Sequence, residues 1–220
     1  MIKKIIHIFT LKKIPHLEWS SNDELNLKPK FLTVLYLIIG LFLFGIGETL
    51  LVKANIGVSP WFVLHQGISF ISGYTIGITT FLVSVIVLIF WVPLKQKPGI
   101  GTIMNAIIIS IVLDFSFPYL PGPSNIYLQL IQVLFAIILV GIGSGFYLVA
   151  NLGPGPRDGL MTALQQKTGM SFTLIRTLLE LSAVILGFYL GGIVGIGTIL
   201  YAVGIGFSVS FGLYFVGKFF

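Results

Sequence analysis

The chain has no cysteine among its 220 residues, which rules out disulfides and thiolate metal sites. Charge is scarce as well. Asp, Glu, Lys and Arg make up 9% of the sequence against 56% apolar residues, and mean hydropathy is +1.03. A soluble domain carries about a quarter charged residues, so this chain could not cover its own surface in water and lipid must be its solvent. The length suits one bundle rather than several domains. Histidine is confined to His7, His16 and His65, with no metal-ligand spacing, and neither a Gly-x-Ser-x-Gly nor a His-Glu-x-x-His string occurs. Nothing here points to an enzyme, and no metal or cofactor is expected.

The net charge of +6 is placed unevenly. Lys3, Lys4, Lys12, Lys13, Lys28 and Lys30 all precede the first long apolar run. Lysine-rich flanks of this kind hold a segment on the cytoplasmic side, and a nucleic-acid partner is not expected. The Ile5 to Leu11 run is too short and too interrupted for a secretory signal. Residues 1–30 therefore read as a basic cytoplasmic tail, either drawn to anionic lipid headgroups or simply unattached.

Crossing the hydrocarbon takes about twenty mostly apolar helical residues. Six stretches qualify: 31–54, 75–94, 102–120, 126–150, 171–190 and 198–217. Their continuous apolarity excludes the alternation of a barrel strand. With the tail inside, Lys95, Lys97, Arg157, Lys167 and Lys218 fall on cytoplasmic loops or ends, and only Lys53 lies on the other side. Both termini are thus expected in the cytoplasm of a bacterial cell.

An internal repeat appears at an offset of 96. Gly45-Ile-Gly47 recurs as Gly141-Ile-Gly143, Ala54-Asn55 as Ala150-Asn151, and Gly99-Ile-Gly-Thr-Ile103 as Gly195-Ile-Gly-Thr-Ile199. Gly57, Pro60 and Gly73 likewise match Gly153, Pro156 and Gly169. The halves are 31–125 and 126–220, each with three spans. An odd span number forces the second copy to enter from the opposite side, so the expected fold is an all-α membrane bundle of two inverted-topology repeats. The Gly-x-Gly pairs suit close helix packing more than a substrate role.

Between spans one and two of each copy lies a broken segment. Asn55-Ile-Gly-Val-Ser-Pro60 precedes a short apolar stretch ending at Ser72, and Asn151-Leu-Gly-Pro-Gly-Pro156 precedes one ending at Thr168. Stretches of this length are re-entrant or lie at the interface. If both re-enter, their N-termini meet near the midplane and favour an anionic or zwitterionic small molecule. Asn55, Trp61, Asn151, Arg157 and Asp158 are the candidate binding residues. Arg157 also reads as a headgroup anchor, and Asp158 as a complement to the helix dipole.

Ionisable groups inside spans mark a pathway or a partner. Glu48 has only Lys53 as a local partner and is a candidate proton or cation carrier. Arg176 and Glu180, four apart on one helix, are expected to form a buried pair. Asp114, near an outer end, reads as solvated.

Several strings carry a resemblance: Ser59-Pro-Trp61 with Leu64-His-Gln-Gly67, Pro98-Gly-Ile-Gly-Thr102 with Asn105, Gly155-Pro-Arg-Asp-Gly-Leu160, and Arg176-Thr177 with Glu180. Together they resemble the bacterial YczE/YyaS/YitT membrane proteins over 31–217. The resemblance implies a protein of the bacterial cytoplasmic membrane without naming a substrate. Members often carry Asp after the first-copy Trp, where this chain has Phe62, leaving Asp158 as the only acid of that pair. The expected function is a small-molecule transporter or exporter working at the repeat interface, either as a single chain or as a homo-oligomer. A non-transporting membrane partner of another complex and an intramembrane enzyme are the competing classes.

Overall fold

The computed structural model describes residues 14–220. Lys3, Lys4, Lys12, Lys13 and the Ile5–Leu11 run lie outside the described residues. Among those described there are eight α-helices and no strand. In chain order they are α1 (Phe31–Ala54), α2 (Pro60–Ser72), α3 (Ile76–Leu94), α4 (Ile100–Ser116), α5 (Ile126–Ala150), α6 (Pro156–Thr168), α7 (Phe172–Tyr189) and α8 (Ile196–Phe219). Five of them (α1, α3, α5, α7 and α8) are long and apolar enough to cross a membrane. The expected third span, 102–120, is shorter than the sequence implied. α4 has 17 residues and gives way to a turn after Ser116. Residues such as Ile86, Phe90, Leu128, Phe135 and Leu186 face outward along these helices, as chains facing lipid do.

The 96-residue offset is written into the helix boundaries. α6, α7 and α8 begin 96 residues after α2, α3 and α4, and α5 begins within one residue of that spacing after α1. Each short helix starts at a proline, where a missing N–H is no loss, and stops at a glycine in left-handed backbone, Gly73 or Gly169. Asn55 and Asn151 end α1 and α5 in the same left-handed conformation, with φ of 56° and 51°.

α1 and α5 cross at the centre. A side chain on Gly40 would place its Cβ 2.7 Å from the Gly143 carbonyl, and one on Gly143 would lie 2.5 Å from that of Gly40. Gly45 seats Val112 of α4, and Gly141 seats Ser208 of α8, the residue 96 positions on. The Gly-x-Gly pairs therefore serve close packing and do not reach the cavity described below.

The two halves also bond each other reciprocally. The Gly101 N–H donates to the Leu152 carbonyl at 2.7 Å, and the Gly197 N–H to the Ile56 carbonyl at 2.8 Å. Each half thus ties the start of its last helix to the broken segment of the other.

The short helices are packed among the long ones and are not laid on the outside. α2 runs along α3, where the Thr80 hydroxyl meets the His65 ring at 3.0 Å, and abuts α7 through Gly67 and Gly187. α6 is held by Trp91 of α3, whose ring covers Gly159 and whose N–H donates to the Pro156 carbonyl at 2.9 Å.

The described part of the N-terminal segment is docked, not loose. The Ser21 N–H donates to the Ala150 carbonyl at 3.1 Å, and the Asn151 amide donates to the Ser21 carbonyl at 2.8 Å. Trp19 is buried against Tyr36, with ring centroids 4.6 Å apart. Residues 14–30 are therefore held against the helices rather than unattached. Apolar burial of Trp19 and the open carbonyls at the end of α5 give the segment a seat.

Candidate binding cavity

A cavity of about 470 Å³ lies between the halves. This is within the usual range for small-molecule sites, about 300–1,000 Å³. Both short helices contribute to it: Trp61, Phe62 and His65 from α2, and Arg157, Asp158 and Met161 from α6. α7 adds Phe172, Arg176 and Glu180, and α8 adds Tyr201 and Ile205.

Glu48 sits just behind this wall, fully buried. It accepts the Ser59 hydroxyl at 3.0 Å and the Tyr201 hydroxyl at 3.1 Å. The sequence offered Lys53 as its partner. Lys53 instead lies over the Phe117 ring, 4.7 Å from the centroid, because both stand at the far end of the α1–α4 contact. Ser59 reaches back to Glu48 because the loop 55–59 folds inward after α1, returning the start of α2 to the level of residue 48.

Arg157 enters at the start of α6. Its Nε lies 3.6 Å from Asp158 Oδ1, and its guanidinium acts electrostatically on Tyr201, Glu48 and Glu180 as well. Asp158 stands over the N-cap, where a Cβ on Gly155 would lie 3.3 Å from its Oδ2. The Gly155 N–H donates to the Tyr147 hydroxyl. Thr102 donates to the Pro154 carbonyl at 2.6 Å, fixing the loop ahead of α6.

The Arg176–Glu180 pair forms, with Nε to Oε1 at 2.9 Å, but it is not buried. Its side chains are 45% and 25% exposed and face the cavity, since α7 stands apart from α8. Asp114 is not merely solvated. It accepts the Thr75 hydroxyl at 2.5 Å and the Gly77 N–H at 2.8 Å, pinning the start of α3 to α4.

Of the sequence candidates, Trp61, Arg157, Asp158, Arg176 and Glu180 come together on the cavity wall, with Glu48 behind them. Asn55 and Asn151 do not join them. They serve as helix ends, and the Asn151 side chain is spent on Ser21. Tyr201, His65 and Tyr147 line the cavity without having been singled out as candidates. Tyr201 sits six residues after the duplicated Gly195, and its counterpart, Asn105, also faces the cavity. That shared position was the available signal. Among the described residues, no group of three His, Cys, Asp or Glu is close enough to hold a metal ion.

Helices of this length and apolarity define a multi-span membrane protein. The chain belongs to the family of unknown function DUF6198, which it matches over residues 31–213. It is 38% identical to an uncharacterized protein of Haemophilus influenzae over 94% of both chains. It is 31% identical to the uncharacterized membrane protein YczE of Bacillus subtilis, over 79% of this chain and 82% of that one. The uncharacterized protein YyaS of the same organism is 29% identical over 76% and 85%. No solved structure matches.

Proposed function

We propose that the protein is a secondary transporter or exporter of a small molecule in the bacterial cytoplasmic membrane. Its two halves insert with opposite topology and its termini are cytoplasmic. The reading rests on one observation: at positions the repeat makes equivalent, α3 is packed on α4 whereas α7 stands off α8. Gly77 of α3 is pressed on Ser110 and Asp114 of α4. The equivalents of Ser110 and Asp114 on α8 are Gly206 and Ser210. A Cβ on Gly206 would meet nothing within 4 Å, and α7 makes no more than marginal contact with α8.

A bundle whose halves can exchange these two arrangements exposes its cavity to alternate faces, which is how inverted-repeat transporters work. The open side is the one bearing Lys167 and Lys218, cytoplasmic by the positive-inside rule. The reciprocal Gly101–Leu152 and Gly197–Ile56 bonds support the two-fold relation such an exchange needs.

The absence of native cysteine makes the test direct. Cysteine placed at Ser144, which lines the cavity, should react with an impermeant maleimide added to either face of oriented vesicles. Reaction from one face alone would leave the cavity a fixed pocket and defeat the transport reading.

A further inference from the structure

The charges around the cavity do not balance. Two cations, Arg157 and Arg176, and two carboxylates, Asp158 and Glu180, line it, and a third carboxylate, Glu48, lies buried behind Tyr201 of the wall. Arg176 is taken by Glu180 at 2.9 Å, and Arg157 has Asp158 as its nearest carboxylate at 3.6 Å. Glu48 is hydrogen-bonded only to hydroxyls. One carboxylate is therefore left over.

The helix N-termini that would welcome an anion are already supplied by the chain. Ser59, the N-cap of α2, donates to Glu48, and Asp158 stands over Gly155, the N-cap of α6. An incoming anion would have to displace a carboxylate at either one. Six aromatic side chains stand in the rest of the wall, among aliphatic and small polar ones: Phe44, Trp61, Phe62, Tyr147, Phe172 and Tyr201. Trp61 is buried, and its N–H has no partner, so no hydrogen bond of the chain fixes that ring. Aromatic faces beside an unbalanced carboxylate attract organic cations.

We infer that the cavity takes an amphipathic organic monocation, with Glu48 as its countercharge; the inference rests on the transport reading of the same cavity. When Glu48 is protonated the cavity charges sum to zero, and when it is ionised they sum to −1. Binding of the cation releases the Glu48 proton to water, and reprotonation expels the cation, so one charge is exchanged for another. The titratable and charged groups around this space are His65 on α2, Tyr147 on α5, Arg157 and Asp158 on α6, Arg176 and Glu180 on α7, and Tyr201 on α8. α3 and α4 contribute only neutral groups such as Thr80 and Asn105.

Tetraphenylphosphonium and tetraphenylborate, nearly equal in size and opposite in charge, separate the alternatives. Saturable binding to the full chain in lipid nanodiscs, corrected for empty discs, is expected at least tenfold tighter for the cation. A proton should be released into weakly buffered solution as it binds. Glu48→Gln should weaken the cation at least tenfold and remove the proton release. Lys53→Gln, at the far end of α1 and outside the cavity, should bind with the release intact. Tighter binding of the borate, cation binding indifferent to Glu48→Gln, or no saturable binding of either ion overturns the inference. Saturable, Glu48-dependent cation binding without movement across proteoliposomes supports this ligand class and defeats only transport. Transport of an anion through the cavity does the reverse.

Discussion

The Tyr201 hydroxyl donates to the Glu48 carboxylate at 3.1 Å across a sequence separation of 153 residues. The bond joins α1 of the first half to α8 of the second. With Ser59, the N-cap of α2, on the other carboxylate oxygen, the acid links α1, the start of α2 and α8. Because Glu48 is fully buried, each hydroxyl replaces hydration that the carboxylate has lost.

Tyr201→Phe should therefore destabilise the fold by about 1–3 kcal/mol, the cost of leaving a buried acceptor short of a donor. Ser59→Ala should act similarly. The double variant should cost more than the sum, since the first loss still leaves one donor. Thermal unfolding in lipid-containing detergent would measure all three. Additivity within about 0.5 kcal/mol would mean the two hydroxyls act independently.

The reciprocal loop bonds give a second expectation. A Cβ at Gly101 would stand 2.9 Å from the Leu152 carbonyl oxygen, whereas one at Gly197 would stand 3.1 Å from that of Ile56 and 2.4 Å from that of Gly57. Gly101→Ala and Gly197→Ala should each cost about 1–3 kcal/mol, as overpacking against backbone does. The loss at Gly197 should be the larger, because its Cβ meets the Gly57 carbonyl at 2.4 Å. A large effect at one glycine and none at the other would show that the contacts are not equivalent.

The repeat was legible because glycine and proline carry backbone geometry in their identity. Pro60 and Pro156 open short helices, and Gly73 and Gly169 close them, as their positions in the sequence implied. Arg176 and Glu180 were legible as a pair because four residues is one helical turn, but their exposure depends on the distance between α7 and α8, which no local pattern encodes. Glu48 was recognised as unusual, yet its partners were not found, because Tyr201 reaches it only through tertiary packing. Asn55 and Asn151 lie away from the cavity for a different reason. Asn tolerates left-handed backbone, and that local role accounts for its recurrence without any ligand.

Docking of the N-terminal segment should depend on Trp19. The residue is 5% exposed, packs against the Tyr36 ring at a tilt of 47°, and its carbonyl accepts the Thr33 hydroxyl. Trp19→Ala should release residues 14–30 and speed tryptic cleavage after Lys30, whose Nζ is held by the Glu18 carbonyl, at least severalfold, with the helices intact by circular dichroism. Unchanged cleavage would place the anchor at Ser21 and Asn151 instead.

The final expectation concerns the two equivalent clefts. Asp114 closes the first by accepting from Thr75 and Gly77. Adding 96 gives Ser210, Ser171 and Thr173, which offer the same hydroxyl and backbone N–H but lack the carboxylate. Ser210→Asp should supply it and draw α7 onto α8. A cysteine at Ile205, which lines the cavity, should then react at least tenfold more slowly with maleimide added from the Lys167 side. Asp114→Ala should do the opposite on the other face, exposing a cysteine placed at Thr80. Gly206 provides the internal check. Its Cβ position is empty now, but it corresponds to Ser110, against which Gly77 is pressed in the closed cleft. Gly206→Leu should therefore wedge the second cleft open and cancel the effect of Ser210→Asp. If Ser210→Asp slows labelling equally with and without Gly206→Leu, the added carboxylate acts by a route other than closing α7 on α8.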